Sequence, residues 1–152
     1  MRRAATRVVN HGTEAICTMS KVFFDTNVLV YAADKDFPEK RKKAKEILST
    51  YATRAVISTQ VVQEFYVAST KKLGIDPHKA KAIIRTFESF ETVPLYMEDI
   101  YKAIDYTILW QISFWDTLII VAAEKANCST IYSEDLNSGQ KYGRIKLINP
   151  FL

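Results

Sequence analysis

Short apolar runs alternate with helix-period stretches along most of this chain, and that alternation predicts its elements. Residues 21–24 (K-V-F-F) read as a buried strand, and 25–33 as a turn entering a short helix. Pro38 stands at a first helical position, opening a helix that runs through Leu48. Residues 55–58 form a second short strand, followed by a helix over about 60–73 that Gly74 stops. Pro77 opens another helix covering 80–90, with Ala80, Ile83, Ile84 and Phe87 at helical spacing. Residues 91–95 suit a third strand, and Pro94 places it at an edge or an end. Two helices follow over about 98–111 and 115–127. The chain closes with a strand at 130–133, a loop holding Gly139 and Gly143, and a strand at 145–148. Strand–helix alternation of this kind implies right-handed crossovers and a parallel sheet covered on both faces. The expected fold is one α/β domain in three layers, with a mostly parallel central sheet of four to five strands.

Residues 1–20 show neither this periodicity nor a continuous apolar segment. They read as an extension or an over-extended start, with Met19-Ser20-Lys21 a natural beginning, so the domain is expected over 21–152. At 152 residues, 48% hydrophobic and 25% charged, the chain is long enough for one sizeable core. No stretch reaches the roughly 18 apolar residues that span a bilayer, so no membrane role is expected. Cys17 and Cys128 have no metal-type spacing and make no disulfide framework, which fits a reducing cytoplasm. A net charge of +4 leans weakly toward a polyanionic partner.

Four acids change this plain picture. Asp25 follows the first strand, Asp135 follows the strand at 130–133, Asp116 lies in the first turn of a late helix, and Glu64 lies one turn into the helix after the second strand. Val61, Glu64 and Ala68 are three and four residues apart, so Glu64 belongs to the apolar stripe of its helix. Functional groups in such sheets gather beyond the carboxyl ends of the strands, and all four acids can converge there. Each also has a structural explanation. Asp25 can cap the following helix, Asp116 can pair with Ser113 in a capping box, Asp135 can be a first-turn acid, and Glu64 can reach solvent at the margin of its stripe. Four acids at matching positions favour a site. Buried charge is costly unless paired or bound to a cation, and an oxygen-only set suits Mg²⁺ or Mn²⁺.

Four segments carry a family resemblance: F-F-D-T-N-V-L-V-Y at 23–31, Q-E-F at 63–65, W-D-T-L-I-I at 115–120 and S-E-D-L-N-S-G-Q at 133–140, with I-N-P-F at 148–151 as a similar ending. Over about 21–152 the chain resembles a PIN domain, and within that group the VapC-type toxins of toxin–antitoxin pairs. The resemblance implies that Asp25, Glu64, Asp116 and Asp135 bind one or two Mg²⁺ or Mn²⁺ ions. Asn27 and Thr117 would be polar supports and Ser133 a neighbour of the last acid, with Glu134 sharing or yielding the ligand role to Asp135. It further implies an endoribonuclease that leaves a 3′-hydroxyl and a 5′-phosphate, a homodimer, and a VapB-like antitoxin covering the acidic pocket. The chain's two histidines, His11 and His78, lie in no motif, which argues against a histidine-based ribonuclease.

The basic residues Lys40, Arg41, Lys42, Lys43 and Lys45 could hold phosphates or form a solvated helix face; Lys71-Lys72, Lys141 and Arg144 carry the same two readings. Tyr31 and Tyr66 are candidates for stacking on a base, whereas core packing is expected for Trp115. Tyr101, Ile104, Ile108 and Leu109 form a stripe expected in the core or at a dimer face. A haloacid dehalogenase-type phosphatase would need a second Asp where Asn27 stands. A non-catalytic RNA- or antitoxin-binding module would bind RNA without regard to metal.

Overall fold

The computed structural model describes residues 19–152; the expected extension thus falls almost wholly outside the described residues, as do Cys17 and His11. The elements run β1 (Lys21–Phe24), α1 (Thr26–Ala33), α2 (Pro38–Thr50), β2 (Ala55–Ser58), α3 (Thr59–Lys71), α4 (Pro77–Thr86), β3 (Glu91–Val93), α5 (Met97–Trp110), α6 (Phe114–Lys125), β4 (Cys128–Tyr132), β5 (Lys141–Tyr142) and β6 (Ile145–Ile148). They build an α/β fold around one mixed sheet in the order β3-β2-β1-β4-β6-β5. Every pairing is parallel except β5 with β6.

The sheet has six strands where four to five were expected. The additional one, β5, is a two-residue antiparallel edge made by the chain turning back at Gly143, whose φ of 59° suits glycine. Two residues are too few to leave a periodic signature. The helix expected over 80–90 instead begins at Pro77 and gives way to a 3₁₀ turn at Phe87–Ser89. β3 ends at Val93, before Pro94, and lies at the sheet edge as the proline required.

The strands form because their side chains disappear into the core. Phe23, Phe24, Val56, Ile57 and Ile131 are fully buried, and Leu147 nearly so. Each such side chain stabilises the fold by roughly 1.5–3 kcal/mol on leaving water. Helices α1 to α4 pack against one another in series, and α5 packs on α6. The sheet is flanked by these two groups. Among the described residues, no single helix is long and apolar enough to cross a membrane. Cys128 is buried at the start of β4, and burial pushes its thiol up to about 12.

Two expectations about apolar residues need correction. Trp115 is 63% exposed, because α6 buries Thr117–Ala123 and turns its first residues outward. Tyr101, Ile104, Ile108 and Leu109 are exposed as well, so the core reading of that stripe fails. α5 instead buries Ala103 against Leu118 and Val121 of α6. A small residue allows the close approach that the larger ones would prevent.

Strand order places the chemistry. From β1 the chain builds β2 and β3 on one side, then crosses to β4 and β6 on the other. The gap beyond the carboxyl ends of β1 and β4 is therefore a topological switch point.

Candidate metal centre

Asp25 occupies that switch point. It ends β1 and caps α1: its Oδ1 accepts from Thr26 N–H at 2.7 Å, while its own N–H donates to the Tyr132 carbonyl at 3.0 Å. Its Oδ2 accepts from Ser133 Oγ at 2.6 Å, immediately after β4. Capping and placement at the switch point thus coincide in one carboxylate, 6% exposed. Burial raises its carboxyl to about 6; the Ser133 and Thr26 bonds pull it down, and the nearby carboxylates of Glu64 and Asp135 push it up again.

Glu64 approaches from α3. Thr26 Oγ1 donates to Glu64 Oε2 at 2.5 Å, and Gln60 Nε2 donates to Glu64 Oε1 at 2.8 Å. Half-buried placement follows from the stripe position, beside Val61 and Phe65, which are fully buried.

The turn after β4 brings the third acid. Asn27 Nδ2 donates to Asp135 Oδ2 at 3.1 Å and to Ser133 Oγ at 3.3 Å, while Asn27 Oδ1 accepts from Glu134 N–H at 3.2 Å. Ser133 Oγ also accepts from Asp135 N–H at 3.2 Å. These hydrogen bonds through Asn27 and Ser133 join α1 to this turn.

Glu134 faces elsewhere. Its carboxylate accepts from Tyr31 Oη at 2.7 Å and pairs with Lys40, whose Nζ lies 4.5 Å from the centre of the Tyr31 ring. Phe151 packs edge-on against the same ring. Burial pushes Glu134 up, but the Lys40 and Tyr31 bonds outweigh it and hold the carboxyl below its ordinary range. Glu134 is thus paired with a cation, and of the two acids it is Asp135 whose charge acts on Asp25. Lys40 is removed from the free basic run, whereas Lys42, Lys43 and Lys45 stay exposed.

Asp116 stands apart from these three. Ser113 Oγ accepts from its N–H at 3.1 Å, which is half of the anticipated capping box. Among the described residues its carboxylate takes no hydrogen bond, and Tyr142 feels its charge: burial and then Asp116 raise that phenol. Thr117 is fully buried, bonded to the Phe114 carbonyl at 2.7 Å and set 3.1 Å from Thr107 Oγ1. It braces the turn carrying Asp116 without touching the other acids. The link between that turn and the cluster is Gln60, whose Nε2 also donates to the Trp115 carbonyl at 3.3 Å. The sequence motifs assign no acid-holding contact to Gln60, Thr26 or Lys40. Only Gln60 left a signal, four residues before Glu64 on one helix face.

These donors suit a hard divalent cation. All are oxygens, and the charges acting on Asp25 are two like charges with no cation among them. Yet no three acidic, histidine or cysteine side chains among the described residues are gathered tightly enough to hold an ion by themselves. An ion here would draw further oxygens from water and substrate, as Mg²⁺ readily does. Glu64, Glu134 and Asp135 line a groove of about 890 Å³, together with Tyr31, Phe37 and Leu73. Asp25 and Asp116 do not line it.

The PIN domain family profile matches residues 22–142. No curated protein sequence matches the chain. Solved structures share the fold, three of them as follows. Mycobacterium tuberculosis VapC20, described as a sarcin–ricin-loop-cleaving toxin, superposes with a TM-score of 0.65 at 17% identity over 76% of this chain and 90% of its own. A toxin–antitoxin complex from Klebsiella pneumoniae gives 0.65 at 16% identity, covering 86% and 98%. DNA-bound VapBC from Salmonella typhimurium gives 0.62 at 16%, covering 85% and 97%.

Proposed function

The chain belongs to the PIN-domain family, and from that premise we propose that it is a metal-dependent endoribonuclease acting as the toxin of a toxin–antitoxin pair. One observation carries the reading. Asp25 is a buried carboxylate at the switch point, crowded by Glu64 and Asp135 and lacking a cationic partner among the described residues. In the proposed site Asp25, Glu64, Asp135 and Asp116 would hold Mg²⁺ or Mn²⁺. The bound ion would lower the pKa of a water and steady the leaving oxygen of an in-line displacement at phosphorus.

The chain's own side chains arrange the rest. Ser133 and Thr26 N–H hold the two oxygens of Asp25, Thr26 Oγ1 and Gln60 hold those of Glu64, and Asn27 orients Asp135. Lys71 and Lys72 beside the groove, and Lys42, Lys43 and Lys45 on α2, are available to the phosphate backbone of RNA. Tyr31 is covered by Lys40 and Phe151, so Tyr66 and Trp115, both exposed, are the better stacking surfaces.

Two protein partners belong to the same reading. The groove, with apolar Val30, Phe37, Val67 and Leu73 beside Glu64 and Asp135, suits an antitoxin segment that covers the acids. The exposed Tyr101, Ile104, Ile108 and Leu109 of α5 suit a homodimer face.

The test is cleavage of total RNA by antitoxin-free protein in Mn²⁺, Mg²⁺ or EDTA, with Asp116→Asn alongside. Discrete metal-dependent fragments bearing 5′-phosphates, lost in the variant, are expected. RNA binding indifferent to metal and to the variant, without cleavage, would replace the nuclease with a binding module. Fragments ending in 2′,3′-cyclic phosphate would exclude attack by water.

A further inference from the structure

Gln60 is an unusual residue to bury. It is 6% exposed near the start of α3, and both of its hydrogen bonds leave from one atom. Nε2 donates to Glu64 Oε1 at 2.8 Å, within the helix, and to the Trp115 carbonyl at 3.3 Å, across to the first turn of α6. Oε1 is buried and has no donor among the described residues. Turning the amide over offers no escape, because Oε1 would then face a carboxylate and a carbonyl, both acceptors.

An orphaned buried acceptor costs about 1–3 kcal/mol, whereas an apolar side chain of similar length avoids that cost. Filling space therefore does not explain a glutamine here; methionine would do it better. What only the amide supplies is a donor shared between Glu64 and the peptide unit that precedes Asp116. Glu64 is then held at both oxygens, by Thr26 beside Asp25 and by Gln60 beside Asp116. The amide carries no charge, so it holds Glu64 without neutralising it as Lys40 neutralises Glu134.

We infer that Gln60 is a positioning residue that sets Glu64 and the Asp116-bearing turn at a fixed separation for cation binding. The inference rests on the metal-dependent reading above, and it names the contact that brings the outlying fourth acid into register with the other three. Partners that orient ligands without touching the ion typically change metal affinity or activity by about 10- to 100-fold.

The test is Gln60→Met in the full chain, titrated with MnCl₂ by calorimetry and melted in EDTA. Relief of the orphaned Oε1 offsets the two lost hydrogen bonds, so the expected result is an apo melting midpoint within a few degrees of wild type together with Mn²⁺ binding about 10- to 100-fold weaker. For RNA cleavage, kcat falls while KM is unchanged. A structural residue gives the opposite pairing, a lower midpoint with unchanged Mn²⁺ affinity, and Mn²⁺ binding within twofold of wild type overturns the inference. If the variant does not fold, the native protein decides. The Gln60 side-chain NH₂ resonances should shift on Mg²⁺ titration with the same midpoint as the Thr26 backbone amide; unmoved resonances overturn the inference. Wild type that binds no Mn²⁺ and cuts RNA in EDTA refutes the metal reading and this inference together. Wild type and Gln60→Met that bind Mn²⁺ alike refute this inference alone.

Discussion

Asp25→Asn is expected to make the metal-free protein more stable while abolishing its chemistry. The carboxyl of Asp25 lies at about 6 in the fold against an ordinary value of 3.8. The folded chain therefore holds a proton that the unfolded chain has already released, and stability falls as pH rises between those two values. Below about 4 both states are protonated and the penalty is absent. Above about 6 it is complete, at about 3 kcal/mol. Asparagine removes the charge and keeps the cap acceptor for Thr26 N–H. It must donate to Ser133 Oγ where Asp25 accepted, and Ser133 already receives from Asn27 and Asp135, so one hydrogen bond worth about 1 kcal/mol is lost. The net gain is about 2 kcal/mol at pH 7.5, or roughly 6–8 °C in melting midpoint for a domain of this size.

The assay is paired urea unfolding of wild type and Asp25→Asn in EDTA at pH 4, 5, 6 and 7.5. The difference between the proteins should grow in favour of the variant across this range, and at pH 4 the variant should be no more stable than wild type. Mn²⁺ at about a hundred times its dissociation constant should then restore about 2.7 kcal/mol to wild type and nothing to the variant. A variant less stable than wild type at pH 7.5, or a difference that does not change with pH, would show that Asp25 is adequately solvated or paired. The reason for expecting a cation would then disappear.

Lys40→Met should release Glu134 from its ion pair, so that its carboxyl titrates closer to the ordinary range in a carboxyl-resolved NMR experiment. The pair is partly exposed, so a stability loss of no more than about 1 kcal/mol is expected in denaturant unfolding. If α5 is the homodimer face proposed above, Ile108→Glu should shift the protein from dimer to monomer in light scattering without moving its melting midpoint by more than a degree or two. A dimer that survives this change would place the interface elsewhere.

The parts of the fold that were legible beforehand are those where a local pattern and the tertiary environment agree. Lys21–Phe24, Ala55–Ser58 and Ile145–Ile148 appear as read because short apolar runs have few ways to be buried. Pro38, Pro77, Ser113 and Asp25 marked helix starts because each acts on its own first turn. β5 was illegible because its pairing comes from the turn at Gly143 and from β6, not from its two residues. Trp115 was misread because the size of a side chain says nothing of which way a first turn faces. The core alternative for the α5 stripe failed because burial of the small Ala103 against α6 leaves the large residues outside.

The site divides along the same line. The placement of Asp25 and Asp135 was legible because a carboxylate following an apolar strand breaks the local rule for burial, and such breaks tend to cluster where function outweighs stability. What could not be found was the wiring, since Thr26 to Glu64, Asn27 to Asp135 and Lys40 to Glu134 each join residues far apart in the chain. That wiring distinguishes two neighbouring acids that look equivalent in sequence. Glu134 acquires Lys40 and Tyr31 and becomes part of the scaffold, while Asp135 receives one neutral amide hydrogen bond and keeps its charge uncompensated beside Asp25. An acid is available to a cation only when the fold withholds its counter-charge. Asp25, Glu64 and Asp135 meet that condition, held by hydroxyl and amide donors and by no lysine or arginine among the described residues.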